Sequence, residues 1–124
     1  MSATYFTKDH EWAKINGNVS VVGISEHAAD ELGDVTFVDL PDVGKTVKQG
    51  EVLAAIESVK AASEIYAPVS GKVLKVNTML GSTPEKLNES AEEAAWIVEL
   101  EMTEPLDVKA LMDRNQYEEY LKTL

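Results

Sequence analysis

One lysine, Lys60, stands between two short strand-like stretches, Val52 to Ile56 and Glu64 to Tyr66. Gly50 lies ten residues before it and Gly71 eleven after it. Glycine accepts backbone angles closed to other residues, so isolated glycines punctuate strands and open turns. Two extended runs of similar length between two such breaks fold back on each other as a β-hairpin. The run Glu57-Ser58-Val59-Lys60-Ala61-Ala62-Ser63-Glu64 then places Lys60 at the tip, exposed and chemically accessible. An exposed hairpin lysine serves either as a solubilising charge or as the attachment point of a group that swings between sites. Geometry alone favours the solubilising charge; the surrounding residues favour the attachment point.

The rest of the chain is punctuated in the same way. Val19 to Gly23 follows Asn16-Gly17 and alternates like a strand after a turn. Ser25, a good N-cap, precedes Glu26 to Leu32, and Gly33 stops the run, which predicts a short helix near residues 26–32. Val35 to Leu40 is a strand closed by Pro41; Asp42-Val43-Gly44 and Lys48-Gln49-Gly50 are turns, and Lys72 to Val76 is a strand. Residues 77–93 are polar, interrupted by Gly81 and Pro84, and read as a long loop. In the strand that follows, Trp96, Val98, Leu100 and Met102 are expected on one face, opposite Glu99 and Glu101. Beyond Pro105 the apolar spacing becomes helical, with Tyr117, Tyr120, Leu121 and Leu124 on one side. The expectation is a mostly β fold, a small antiparallel sandwich or flattened barrel, with C-terminal helices. One domain spans residues 1–124, its core about 5–103 and its helical segment about 105–123.

Composition narrows the function. The chain has no cysteine, which excludes disulfides, thiolate metal sites and a cysteine nucleophile, so redox chemistry would have to come from an added group. Twenty-two acids against eleven bases give a formal charge of −11, with the excess concentrated in the last third. That disfavours nucleic acid and anionic membrane as partners; it reads by default as solubility, and more sharply as a surface for a basic docking partner. No apolar stretch is long enough to span a membrane, and the N-terminus has neither a signal-peptide core nor the arginines of a transit peptide. The reading is a bacterial cytoplasmic protein, or a mitochondrial matrix protein only if this is a processed form. His10 and His27 are the only histidines and lack metal-ligand spacing. No Gly-x-Ser-x-Gly elbow and no glycine-rich phosphate loop occurs. Trp12 and Trp96 read as core or pocket walls. Nothing points to an enzyme acting alone.

The block Glu57 to Gly71 resembles the lipoyl-lysine segment of glycine cleavage system H proteins. Thr7-Lys8-Asp9-His10-Glu11-Trp12, Val22 to Ala28, Leu32-Gly33-Asp34-Val35 and Phe37 to Pro41 resemble H-protein motifs in the same order. The resemblance therefore runs from about Tyr5 to the C-terminal helices. H proteins often carry Pro-Tyr/Phe and then Gly-Trp before the last strand. Here Ala91, Glu92 and Ala95 take those places before Trp96, and alanine at a glycine's position predicts a reshaped loop if that position has positive φ.

The resemblance implies a fold of the lipoyl/biotinyl hybrid type and a non-catalytic carrier with lipoic acid amide-linked to Lys60. The P protein, a glycine decarboxylase, loads an aminomethyl group. The T protein, an aminomethyltransferase, removes the one-carbon unit, and the L protein, a dihydrolipoyl dehydrogenase, reoxidises the arm. Lipoate-attaching enzymes are further partners. Glu57 and Glu64 flank the tip and are expected to help present the lysine, or else to be solvent-facing charges. Glu11 matches the position implicated in holding the loaded amine, and Glu31 stands where some relatives have histidine. An H-like protein acting mainly as a lipoyl donor in lipoate assembly is the alternative. A dehydrogenase-complex lipoyl domain lacks the His10-Glu11-Trp12 start. A biotinyl domain has methionines around its lysine, whereas Lys60 lies between Val59 and Ala61.

Overall fold

The computed structural model of the chain describes residues 3–124. Strands β1 (Ala3–Phe6), β2 (Glu11–Asn16) and β3 (Val19–Ile24) lead into α1 (Glu26–Leu32). Then come β4 (Val35–Asp39), β5 (Thr46–Val47), β6 (Val52–Ser58), β7 (Ala62–Tyr66) and β8 (Gly71–Val76). Two short helices, α2 (Met79–Ser82) and α3 (Lys86–Ser90), precede β9 (Val98–Met102); a 3-10 turn (Pro105–Ala110) and α4 (Arg114–Leu121) end the chain. Six strands pair in the order β1-β2-β3-β9-β8-β5, and three in the order β4-β6-β7, all antiparallel. The two sheets form a sandwich, and no pairing among the described residues closes them into a barrel.

The main core lies between the sheets. Val22, Ile24, Val73, Val98 and Leu100 come from one, and Val38, Leu53, Ile56 and Ile65 from the other. Strand alternation sends these side chains inward and leaves their neighbours outside. A second cluster, Phe6, Trp12 and Tyr117, sits where α4 returns to the first two strands. Trp12 lies across from Gly23, and a β-carbon there would come within 2.6 Å of the indole, so only glycine lets the ring lie on the strand. Asp113 and Gln116 close a reciprocal capping box that starts α4.

Three sequence expectations need correction. Residues 77–93 are not a loop: α2 and α3 occupy much of it, anchored by fully buried Leu80 and Leu87. Helices of four and five residues are too short to show a period, so burial, not local pattern, decides them. Trp96 does not share a face with Val98, because β9 starts only at Val98; Ile97 is the fully buried residue, and Trp96 packs on the second cluster. On α4, Tyr117 is buried and Tyr120 and Leu121 pack beside it, but Leu124 lies past the helix end and is 66% exposed.

Candidate functional site

The lysine hairpin forms as expected, with Ala55 opposite Glu64, Ile56 opposite Ser63 and Glu57 opposite Ala62. Ile56 and Ile65 point into the core, while Glu57, Ala62 and Glu64 lie on the outer face. Two-residue hairpin loops usually need positive φ, but neither Val59 nor Lys60 has it. Ser58 closes the turn instead. Its amide donates to the Ala61 carbonyl at 2.8 Å, and its hydroxyl accepts from the Lys60 and Ala61 amides at 3.2 and 3.1 Å. The tip is also docked: the Val59 amide donates to the Asp34 carbonyl at 3.0 Å. The backbone under the lysine is therefore fixed while the residue itself is exposed.

Gly33, at the C-terminus of α1, has φ of 72°, and a β-carbon there would meet the Lys60 Cε at 3.1 Å. Its bare backbone seats the lysine stem. Asn88 on α3 braces this corner, donating to the Gly33 carbonyl at 2.7 Å and accepting from the Val35 amide at 2.9 Å. The ammonium enters none of the ion pairs found among the described residues. An exposed, uncommitted amine on a fixed backbone fits amide attachment of a carboxylic acid such as lipoate.

Glu57 and Glu64 are diagonal neighbours on the outer face, both exposed. Neither side chain makes a hydrogen bond or ion pair among the described residues that would give it a structural duty. Beside them Phe37, opposite Glu57, is 50% exposed.

Glu11 is different: it is only 1% exposed. Its Oε1 accepts from the Thr7 hydroxyl at 2.5 Å, and its Oε2 from the Tyr66 amide, on the far arm of the lysine hairpin, at 3.2 Å. Burial pushes its carboxyl up to about 7, with Asp9 adding to the rise and the Thr7 and Tyr66 hydrogen bonds opposing it. Glu31 is not brought to it. That side chain is 69% exposed, and its Oε1 lies 2.7 Å from His27 Nε2.

Sequence reasoning missed Ser58, Gly33 as a seat for the lysine, and Thr7 and Tyr66 as partners of Glu11. Serine two residues before the tip was the available signal, since its hydroxyl commonly caps turns. The Glu11–Tyr66 contact joins residues 55 apart and left no local trace. The loop before Trp96 is not strained. Among the described residues His10 is the one non-glycine with positive φ, and Ala95 is fully buried in the core. The Ala91 carbonyl accepts from the Trp12 indole at 3.1 Å. Both tryptophans edge a shallow groove with Glu89, Glu92 and Arg114, so Trp12 is core and wall at once.

The family model described as glycine cleavage H-protein matches residues 4–124. A glycine cleavage system H protein of Caulobacter vibrioides is 52% identical over 119 residues, covering 96% of this chain and 98% of the relative. That of Paramagnetospirillum magneticum is 50% identical over 124 residues, covering 100% and 99%. The crystal structure of a glycine cleavage system H protein from Mycobacterium marinum superposes with a TM-score of 0.85 at 32% identity, covering 97% of each chain.

Proposed function

Because the chain belongs to the glycine cleavage H-protein family, we propose that Lys60 is its lipoyl-bearing residue and that Glu11 holds the loaded end of the arm. The protein is a carrier, not an enzyme: it shuttles the aminomethyl group and electrons among the components of the glycine cleavage system. Lipoate supplies the disulfide that takes up electrons and cargo. The chain's own residues supply the rest. Ser58 and Asp34 fix the tip, Gly33 seats the stem, and the exposed amine of Lys60 forms the amide.

The observation that carries the reading is an exposed, unpaired lysine on a fixed hairpin whose far arm leads to a buried carboxylate. From Ala62 to Tyr66 the strand covers roughly 13 Å at about 3.3 Å per residue. A lipoyl-lysine arm of roughly ten bonds reaches on the order of 14 Å. An arm laid along β7 thus brings a terminal amine toward the place where Glu11 meets Tyr66. There a carboxylate gives the ammonium a charge-assisted hydrogen bond in a site with little water. Tethering also keeps the cargo at high effective concentration near each partner.

Glu57 and Glu64 present the lysine to the lipoate-attaching enzyme; their shared outer face and freedom from other contacts support this. Partners are the P, T and L proteins. Residues 1–124 act as one carrier domain, supported by the return of α4 onto Phe6 and Trp12. A bacterial cytoplasmic setting is supported by the bacterial relatives; no helix among the described residues is long and apolar enough to cross a membrane.

Two measurements test this. Intact mass of protein from its host should show one lipoyl adduct, mapped to Lys60; an adduct on another lysine overturns the assignment. Glu11→Ala should accept lipoate normally but release formaldehyde from the loaded form about tenfold or more faster without T protein, as expected for loss of a charge-assisted bond of roughly 1.5–3 kcal/mol. Equal release in parent and variant removes Glu11 from the role.

A further inference from the structure

We propose that Tyr117, on the C-terminal helix, is a positioning residue for Glu11 and acts through the left-handed backbone of His10. The inference rests on the reading of Glu11 as anchor, but its principal test does not.

The β1–β2 turn is a three-residue loop, Lys8-Asp9-His10. The Thr7 amide donates to the Glu11 carbonyl at 2.9 Å, and the His10 amide to the Thr7 carbonyl at 3.2 Å. In this type of loop the last residue takes positive φ, a place glycine fills most easily. Here it is His10, at φ of 71°. Strained backbone persists only where the surroundings over-determine it. Three ties do so. His10 Nδ1 is 2.8 Å from the Tyr117 hydroxyl, its carbonyl accepts from the Ser25 amide at 2.8 Å, and its ring lies 4.6 Å from that of His27.

Tyr117 is itself immobilised. It is 2% exposed and stacks on Phe6 with centroids 4.3 Å apart, and its hydroxyl is 2.7 Å from Ser25 Oγ. Burial and the neighbouring His27 lower the pKa of His10, favouring the neutral ring. In the tautomer with Nδ1 unprotonated, Tyr117 donates to Nδ1 and accepts from Ser25; in the other tautomer the same two contacts run in reverse. Ser25 also caps α1, whose far end seats Lys60, accepting from the Ala28 amide at 3.2 Å.

What this holds in place is the next residue. Thr7 Oγ1 accepts from the Asp9 and Glu11 amides at 3.2 and 3.1 Å while donating to the Glu11 carboxylate. Loop shape and carboxylate position are therefore one arrangement. If His10 leaves the left-handed region, the Glu11 side chain loses its register with Thr7 and with the Tyr66 amide and turns out to water, and relief of burial, the largest cause of its raised pKa, outweighs the loss of those two hydrogen bonds.

The test is a carboxyl-carbon NMR titration of Glu11 in the full-length lipoylated protein, alongside formaldehyde release from the loaded form. Tyr117→Phe keeps the ring stack and removes only the hydroxyl. It should move the Glu11 midpoint from about 7 toward 4.5, by about one unit or more, tenfold in protonation equilibrium. His10→Ala, which keeps a β-carbon but lacks Nδ1, should do the same. His10→Gly, which takes the left-handed backbone without help, should leave the midpoint near the parent's, and adding Tyr117→Phe to it should change nothing further. An unmoved midpoint in Tyr117→Phe, or identical behaviour of His10→Ala and His10→Gly, overturns the proposal. A moved midpoint with unchanged formaldehyde release supports the positioning and counts against Glu11 as anchor.

Discussion

Two β-turns of this molecule are built to opposite ends. The turn at Lys60 uses negative φ, is closed by a serine hydroxyl, and leaves its side chains outside. The turn at His10 uses a strained histidine, is pinned by two other elements, and directs the following Glu11 into the interior. With Lys60 as the proposed point of attachment and Glu11 as the proposed point of shelter, a carrier needs both. The point of attachment must be reachable by several large partners, so it cannot be buried. The point of shelter must exclude water, so it cannot be exposed. A hydrogen bond from the Tyr66 amide to Glu11 ties the second turn to the far end of the lysine hairpin across 55 residues.

The comparison breaks most completely at its exposed end. Lys60→Ala and Lys60→Arg should both abolish glycine cleavage and glycine–bicarbonate exchange, because alanine has no amine and guanidinium is a poor one for acylation. Both should fold as the parent does, since an exposed tip side chain buries little. Retained exchange at carrier-level concentrations would remove Lys60 from the role.

At the buried end the expected signature is a pH dependence. Glu11 titrates near 7 in the fold against an ordinary 4.5, so between those values the folded state holds a proton that the unfolded chain releases. Its contribution is fully present below about 4.5 and is lost as pH rises through about 7, at most about 3 kcal/mol. His10, lowered by burial, acts in the opposite sense, stabilising above 6.5 and losing that contribution as pH falls through its own depressed value. Glu11→Gln, which resembles the neutral acid, should flatten the decline between pH 4.5 and 7 in denaturant titrations. A parental slope in the variant would show that the carboxylate is already ionised in the fold.

Smaller effects sharpen the contrast at the seat of the lysine. Gly33→Ala should cost about 2 kcal/mol, since φ of 72° with ψ of −154° is a glycine-only region, and should also displace the Lys60 stem. Ser58→Ala should cost about 1 kcal/mol by leaving the turn amides without their acceptor, and should slow lipoyl attachment. Thermal midpoints and attachment rates check both. The smallest change in stability is expected for Glu57→Gln, within about 0.5 kcal/mol, as for ordinary surface positions. Its lipoylation should nevertheless slow, and unchanged rates in Glu57→Gln, Glu64→Gln and the double variant would make both residues plain surface charges.

The sequence by itself determined the mostly β antiparallel class, the helix over residues 26–32 and Lys60 at a hairpin tip, because strand alternation, the Ser25 cap and glycine breaks all act over a few residues; the choice of sandwich over flattened barrel came from the sheet pairing. The motif order from Thr7 to Gly71 carried the family. Only the tertiary structure decided that α2 and α3 form, since Leu80 and Leu87 become helical anchors once a core exists to receive them. It also decided that Ile97 rather than Trp96 enters that core, because the start of β9 is set by its pairing with β3 and β8. The buried state of Glu11 belongs to the same class. Nothing local in the Thr-Lys-Asp-His-Glu run marks the glutamate as buried; Tyr66 and Tyr117, 55 residues from it and 107 from His10, come to lie against the turn only in the fold. Local sequence fixes backbone preference, whereas desolvation of a charged group depends on everything that packs around it.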